Sequence, residues 1–252
     1  MPLKISALFA AVIGGSWAFL AYQAWQMTHL PMSEMWMPPS VLSDWEANDF
    51  AWVLSMWAVM MAAMMLPSAW PMLQAFYRYC KRDKAQASET RVLYFAGAYL
   101  AVWLLFSVVL TVMQWLFHGW AWLSPMMENR QPLVAAGILG IAGVYQFTAF
   151  KNACLHHCRS PFSYLLQHWR PGNKGAFEIG FKHGMSCLGC CWAQMLIMFA
   201  VGVMSLAGML MISLIVIVEK SAPIAADKLS RGIGLFLLFW GGYCLSGVIF
   251  LA

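Results

Sequence analysis

Residues 183–218 read HGMSCLGCCWAQMLIMFAVGVMSLAGMLMISLIVIV, without one Asp, Glu, Lys or Arg. At about 1.5 Å per residue, a single helix of this length would far exceed the roughly 30 Å hydrocarbon core of a bilayer. A hairpin turning within GVMSLAG, residues 202–208, divides the tract into two apolar arms. The hairpin decides the fold, because it sets whether the number of membrane crossings is odd or even.

The rest of the chain has the same character. Its 252 residues are 62% hydrophobic and only 10% charged, far less charge than a soluble domain of this length needs on its surface. Apolar runs at 5–25, 49–70, 92–117, 133–150, 183–201, 205–218 and 232–251 predict seven spans. The sixth is short and is expected to continue through Glu219 and Lys220. The expected fold is an all-α, polytopic membrane helix bundle, residues 1–252 forming one integral membrane domain. The first run follows Lys4 and lacks a convincing cleavage site, so it is expected to be an uncleaved first helix. The loop from residue 28 to 49 is rich in Met, Trp and Pro, and is expected to pack on the membrane surface.

Basic residues set the expected orientation. Lys4 precedes the first span, and Arg78, Lys81, Arg82, Lys84 and Arg91 lie between spans two and three. Lys151, Arg159, Arg170, Lys174 and Lys182 lie between four and five; Lys220, Lys228 and Arg231 lie between six and seven. Only Arg130 falls on the other side, with Glu34, Asp44, Glu46, Asp49 and Glu128. The positive-inside rule then predicts a cytoplasmic N-terminus and an outside C-terminus. A net charge of +5 distributed this way speaks of membrane topology and gives no reason to expect a nucleic-acid partner.

That topology puts Cys154 and Cys158 of CLHHC beside Cys187, Cys190 and Cys191 on the cytoplasmic side. Thiols there are normally kept reduced, so a structural disulfide is not expected. Spacings of i, i+3 and i+4 place the three later cysteines on one helix face, and Cys154 and Cys158 share another. Thiolates are soft ligands, favouring Cu(I), zinc or an iron–sulfur cluster over hard cations, with Cu(I) the leading expectation. The competing reading is that cysteine is a small apolar filler, preferred here for the isolated Cys80 and Cys244. His156, His157 and His183 are secondary ligand candidates; histidines at an interface are more often hydrated surface groups.

The second span supplies another soft-donor pattern. In residues 52–72, Met56, Met60 and Met64 step by four along one face, and Met61 and Met65 follow on the adjacent one. Thioethers bind Cu(I), but methionine is also an adaptable packing residue, and on the stripe alone packing is the preferred reading. Pro67 and Pro71 predict a bent or broken inner end that frees backbone carbonyls. Glu219 and Lys220 suggest either an internal ion pair touching the site or a lysine snorkelling to the headgroups. There is no acid–base carboxylate pair, nucleophile triad or phosphate-binding loop, so an enzyme is not expected.

Taken in order, WAVMMAAMMLPS (57–68), YQFTAFKNACLHHCRSP (145–161), GMSCLGCCWAQM (184–195), GVMSL (202–206) and EK (219–220) resemble a bacterial family of predicted metal-binding integral membrane proteins. That family includes a membrane copper chaperone paired with a bacterial tyrosinase. The resemblance covers spans two to six and implies a copper-handling role. Its implied metal-facing residues are Cys154, Cys158, Cys187, Cys190, Cys191, Met60, Met61, Met64 and Met65. Gln194 and Ser205 stand where the family's usual motif has Leu and Asn, a departure in the polar surroundings rather than in the cysteines.

Together these readings predict a bacterial inner-membrane Cu(I) chaperone, embedded in the lipid bilayer, that helps metallate a cuproenzyme. Three alternatives remain open: a metal transporter, a metal-holding subunit of a larger membrane complex, and a membrane thiol oxidoreductase.

Overall fold

A computed structural model describes residues 1–39, 41–82, 88–221 and 226–251. Among them the chain is all-α, with no named strand. The helices are α1 (Leu3–His29), α2 (Ala47–Arg82), α3 (Ser88–Gly119), α4 (Pro132–Tyr145), α5 (Ala149–Arg159), α6 (Pro161–His168), α7 (Gly172–Val201), α8 (Leu206–Ser221) and α9 (Ala226–Leu251). Lys84, one of the basic residues used for orientation, lies outside the described residues.

Among the described residues, five helices are long and apolar enough to cross a membrane: α1, α2, α3, α7 and the Asp227–Ser246 part of α9. The α4–α5 pair meets the same standard jointly, but is bent by 66° at a short break, giving six if counted as one span. At 16 residues, α8 is short for a full crossing. The outward surface is nevertheless apolar. Leu104, Leu105, Val108 and Val109 of α3 and Leu235, Phe236 and Phe239 of α9 are exposed, as expected of a protein surrounded by lipid.

α7 is the axis, packing against α3, α4, α5 and α8; α2 packs against α1, α3 and α8, and α4 pairs with α9. The long apolar tract does break into a hairpin. α7 ends at Val201, Gly202 takes a φ of 109°, and α8 begins at Leu206. A positive φ suits glycine, whose missing Cβ removes the clash that restricts other residues.

α2 is not broken at its prolines and remains helical through both Pro67 and Pro71, although a carbonyl is freed as expected. Proline lacks the N–H that would bond four residues back, which leaves the Ala63 carbonyl without that partner. The indole Nε1 of Trp17 on α1 donates to this carbonyl at 3.1 Å. A neighbouring helix thus satisfies the freed acceptor, and α2 continues.

The segment between α1 and α2 is pinned by Trp45. Its Nε1 donates to the Pro39 carbonyl at 2.8 Å, and its buried ring packs against Phe50 and His118. Two cores result. The larger combines the α2 methionines with the α7 cysteines; the other gathers Phe76, Phe95, Tyr164 and Cys80.

Candidate metal centre

Two elements bring the thiols together. Helical periodicity turns Cys187, Cys190 and Cys191 of α7 into the interior, where all three are buried. Across from them, α5 is capped by Thr148, whose side chain accepts from the Lys151 N–H at 3.3 Å. The bend between α4 and α5 lays α5 against α7. Tyr145, just before the bend, donates its hydroxyl to the Gly189 carbonyl. The contact is close: a Cβ at Gly189 would sit 2.7 Å from Cys154 Sγ, so a larger residue there would displace the Cys154 side chain.

In this arrangement the sulfurs of Cys158, Cys187 and Cys190 lie within 4.8 Å of one another, a group able to hold a metal ion. All three are free thiols. Cys191 is beside them, and its Sγ donates to the Cys187 carbonyl at 2.8 Å; Cys190 Sγ makes the same bond at 3.1 Å. Cys154 is half-buried against Gly189 and does not join the three-sulfur group. Met60, Met61, Met64 and Met65 are all fully buried in the same core as the α7 cysteines.

Cys187 has the most polar surroundings. Lys220 Nζ donates to its sulfur at 2.9 Å, and the Tyr99 hydroxyl lies 3.1 Å away. Tyr99 also donates to the Met65 carbonyl at 3.2 Å, while Lys220 donates to Ser68 Oγ at 2.8 Å. The ammonium therefore ties α8 to α2 and α7. A cation held this way in an apolar surround calls for a negative partner, and the sulfur it touches is the group able to provide one.

Glu219 faces a different cation. It forms a buried ion pair with Lys151 at 2.7 Å, and Lys151 also donates to the Gln146 side chain. Gln194 Nε2 donates to Glu219 Oε2 at 3.0 Å, Ser230 Oγ to Oε1 at 2.7 Å, and Arg159 Nε to the Glu219 backbone carbonyl at 2.8 Å. Neighbours in sequence, Glu219 and Lys220 thus serve separate networks, and they are not each other's ion pair. Every polar group on Glu219 is engaged, as a buried carboxylate requires.

Sequence reasoning overlooked Tyr99, Ser68 and the burial of Lys151. An ionisable residue inside an apolar region was a usable signal for Lys151; Tyr99, in an ordinary aromatic-rich helix, offered none. His183 also departs from expectation. It is buried between the rings of Phe95, Tyr99 and Tyr164, whereas His156 and His157 are exposed as interfacial histidines usually are. None of the three belongs to the three-sulfur group.

No curated protein and no solved structure matches the chain. A family model does, over residues 54–244: PpoB2, described as a copper chaperone. This is most of the sequence, spanning the α2 methionines, all five clustered cysteines and the Glu219–Lys220 pair, and the chain belongs to that family.

Proposed function

We propose that this member of the PpoB2 copper chaperone family carries Cu(I) as cargo, bound by thiolates of Cys158, Cys187 and Cys190. The convergence of three thiols from two helices, within 4.8 Å, is the observation that carries the reading. Sulfur donors without a histidine or carboxylate in the group favour a soft monovalent ion over zinc, which usually takes four ligands from nitrogen and sulfur. Cys191 and Cys154, near the group but outside it, are exchange ligands through which the ion enters or leaves. Met60, Met61, Met64 and Met65 extend the soft-donor environment along α2. Transfer proceeds by ligand exchange, with no catalysed reaction, toward a cuproenzyme or its partner subunit.

The chain does this as a seven-span protein of the bacterial inner membrane, with its N-terminus cytoplasmic and its C-terminus outside. The one-sided distribution of basic residues supports that topology, with α4–α5 and α8 added to the five longer helices. The thiol group then lies toward the cytoplasmic end.

Copper analysis of anaerobically purified protein tests the site. Copper should be retained by the unaltered chain and lost from a Cys158→Ser/Cys187→Ser/Cys190→Ser variant at those positions, because hydroxyls are harder and poorer Cu(I) ligands. Retention of thiolate-to-copper absorbance in that variant would overturn the assignment. The methionines leading away from the thiols along α2 favour a second reading, in which the ion is also moved across the membrane. Copper flux into sealed vesicles separates that reading from a carrier that only binds and delivers.

A further inference from the structure

Methionines line a cavity at the end of the bundle opposite the thiols. Met27 near the end of α1, Met56 in α2, Met127 between α3 and α4, and Met204 in the α7–α8 turn all line one cavity of about 20 Å³. That is room for a single water-sized occupant. Met56, Met127 and Met204 are buried and Met27 is half-buried. Met65 marks the level of the thiols, since Tyr99 bridges its carbonyl to Cys187. Met56 lies nine residues away on the same helix, about 13 Å along the axis at about 1.5 Å per residue. This is a separate place from the three-thiol group.

Met127 is held there against its backbone preference. Its φ is 60°, the left-handed region that a residue with a Cβ adopts at a cost of about 1–2 kcal/mol. Two hydrogen bonds fix it: its N–H donates to the Ser124 carbonyl at 2.8 Å, and its carbonyl accepts from the Val203 N–H at 3.1 Å. Val203 precedes Met204, so one bond locks both methionine-bearing loops together. Asn129 Nδ2, donating to the Phe199 carbonyl at 3.0 Å, fastens the same two segments again. A turn needing only this backbone shape would be better served by glycine or asparagine. Methionine at this position adds a soft-donor residue to the cavity lining, and strained positions of this kind collect at functional sites.

We propose that Met27, Met56, Met127 and Met204 form a second Cu(I) site, made of thioethers, from which the ion leaves the protein. The proposal rests on the copper reading above and extends it to the other end of the bundle. The four methionines share the cavity lining with the neutral Gln23 and Ser55 and with no carboxylate, and thioethers favour a soft monovalent ion over a hard cation. A thiolate site must be deprotonated to bind and releases protons when it does; a thioether site is not. Copper there is more readily surrendered to a partner, which suits an exit position.

The experiment uses the full chain in detergent under anaerobic conditions, with Cu(I) alone titrated against a competing chelator. In the unaltered protein, replacing the four methionines with Leu should remove one bound equivalent and leave the thiolate-to-copper absorbance intact. In the Cys158→Ser/Cys187→Ser/Cys190→Ser background, one equivalent should remain, with the same affinity at pH 6 and pH 8. Adding the four leucines should abolish it. Because Leu is close to Met in volume, folding should survive; the single variants Met127→Leu and Met204→Leu guard against the contrary, each weakening that equivalent by about tenfold or more. Unchanged stoichiometry and affinity in the four-leucine protein would overturn the second site whether or not the thiols bind. Absence of thiolate absorbance in the unaltered protein would instead overturn the thiol assignment, leaving the four-leucine comparison to judge this site separately.

Discussion

Lys220→Met is the sharpest test of how the thiol centre is organised. The side chains are similar in length, but the substitution removes an ammonium that donates to Cys187 Sγ at 2.9 Å and to Ser68 Oγ at 2.8 Å. A hydrogen bond to a charged partner contributes about 1.5–3 kcal/mol. Lys220 is only partly buried, so the lower end of that range applies. About 1.4 kcal/mol is a factor of ten in an equilibrium constant, and Cu(I) affinity should therefore fall about tenfold. Folding should be much less affected, since Glu219 takes its counter-charge from Lys151 and loses nothing when Lys220 is replaced. The assay is Cu(I) competition against a chelator of known affinity, on anaerobic, detergent-purified protein, paired with a thermal melt. Affinity within twofold of the unaltered protein would refute the idea that Lys220 holds a thiolate ready for the metal. A collapse of the melt would show that Lys220 is mainly a structural bridge.

Three further variants separate structure from transfer. Glu219→Gln strands Lys151, whose side chain is fully buried, and should destabilise the fold by about 3–5 kcal/mol, read as a lowered thermal midpoint. Glu219→Gln combined with Lys151→Met should recover most of that loss, because no unpaired charge is left inside. Replacing Met60, Met61, Met64 and Met65 together with Leu should leave folding and thiol-bound copper near normal, since such swaps each cost less than about 1.5 kcal/mol. It should slow copper transfer to an acceptor chelator; an unchanged transfer rate would reduce the stripe to packing.

Much of this was already present in one dimension. Hydropathy alone marks the apolar helices, since a continuous apolar run of about 20 residues satisfies its backbone within lipid as a helix, whereas barrel strands are shorter and alternate. Length alone demands a turn in residues 183–218, and Gly202 stands where α7 stops. Spacing alone puts Cys187, Cys190 and Cys191 on one face, because the α-helix repeats every 3.6 residues whatever surrounds it. These are local properties, and sequence determines them.

Which thiol meets which was decided elsewhere. Cys154 and Cys158 stand one helical turn apart on nearly the same face of α5, and nothing in their spacing distinguishes them. The bend after Tyr145 and the seating of α5 at Gly189 bring Cys158 to the level of Cys187 and Cys190, and leave Cys154 beside the glycine. The same holds for Glu219 and Lys220, whose adjacency suggested a shared role. Consecutive residues on a helix point about 100° apart, so one reaches α5 and the other reaches α2 and α7. Local periodicity fixes the face a residue occupies. The depth and rotation at which two helices dock, set by packing along their whole length, determine what that face touches.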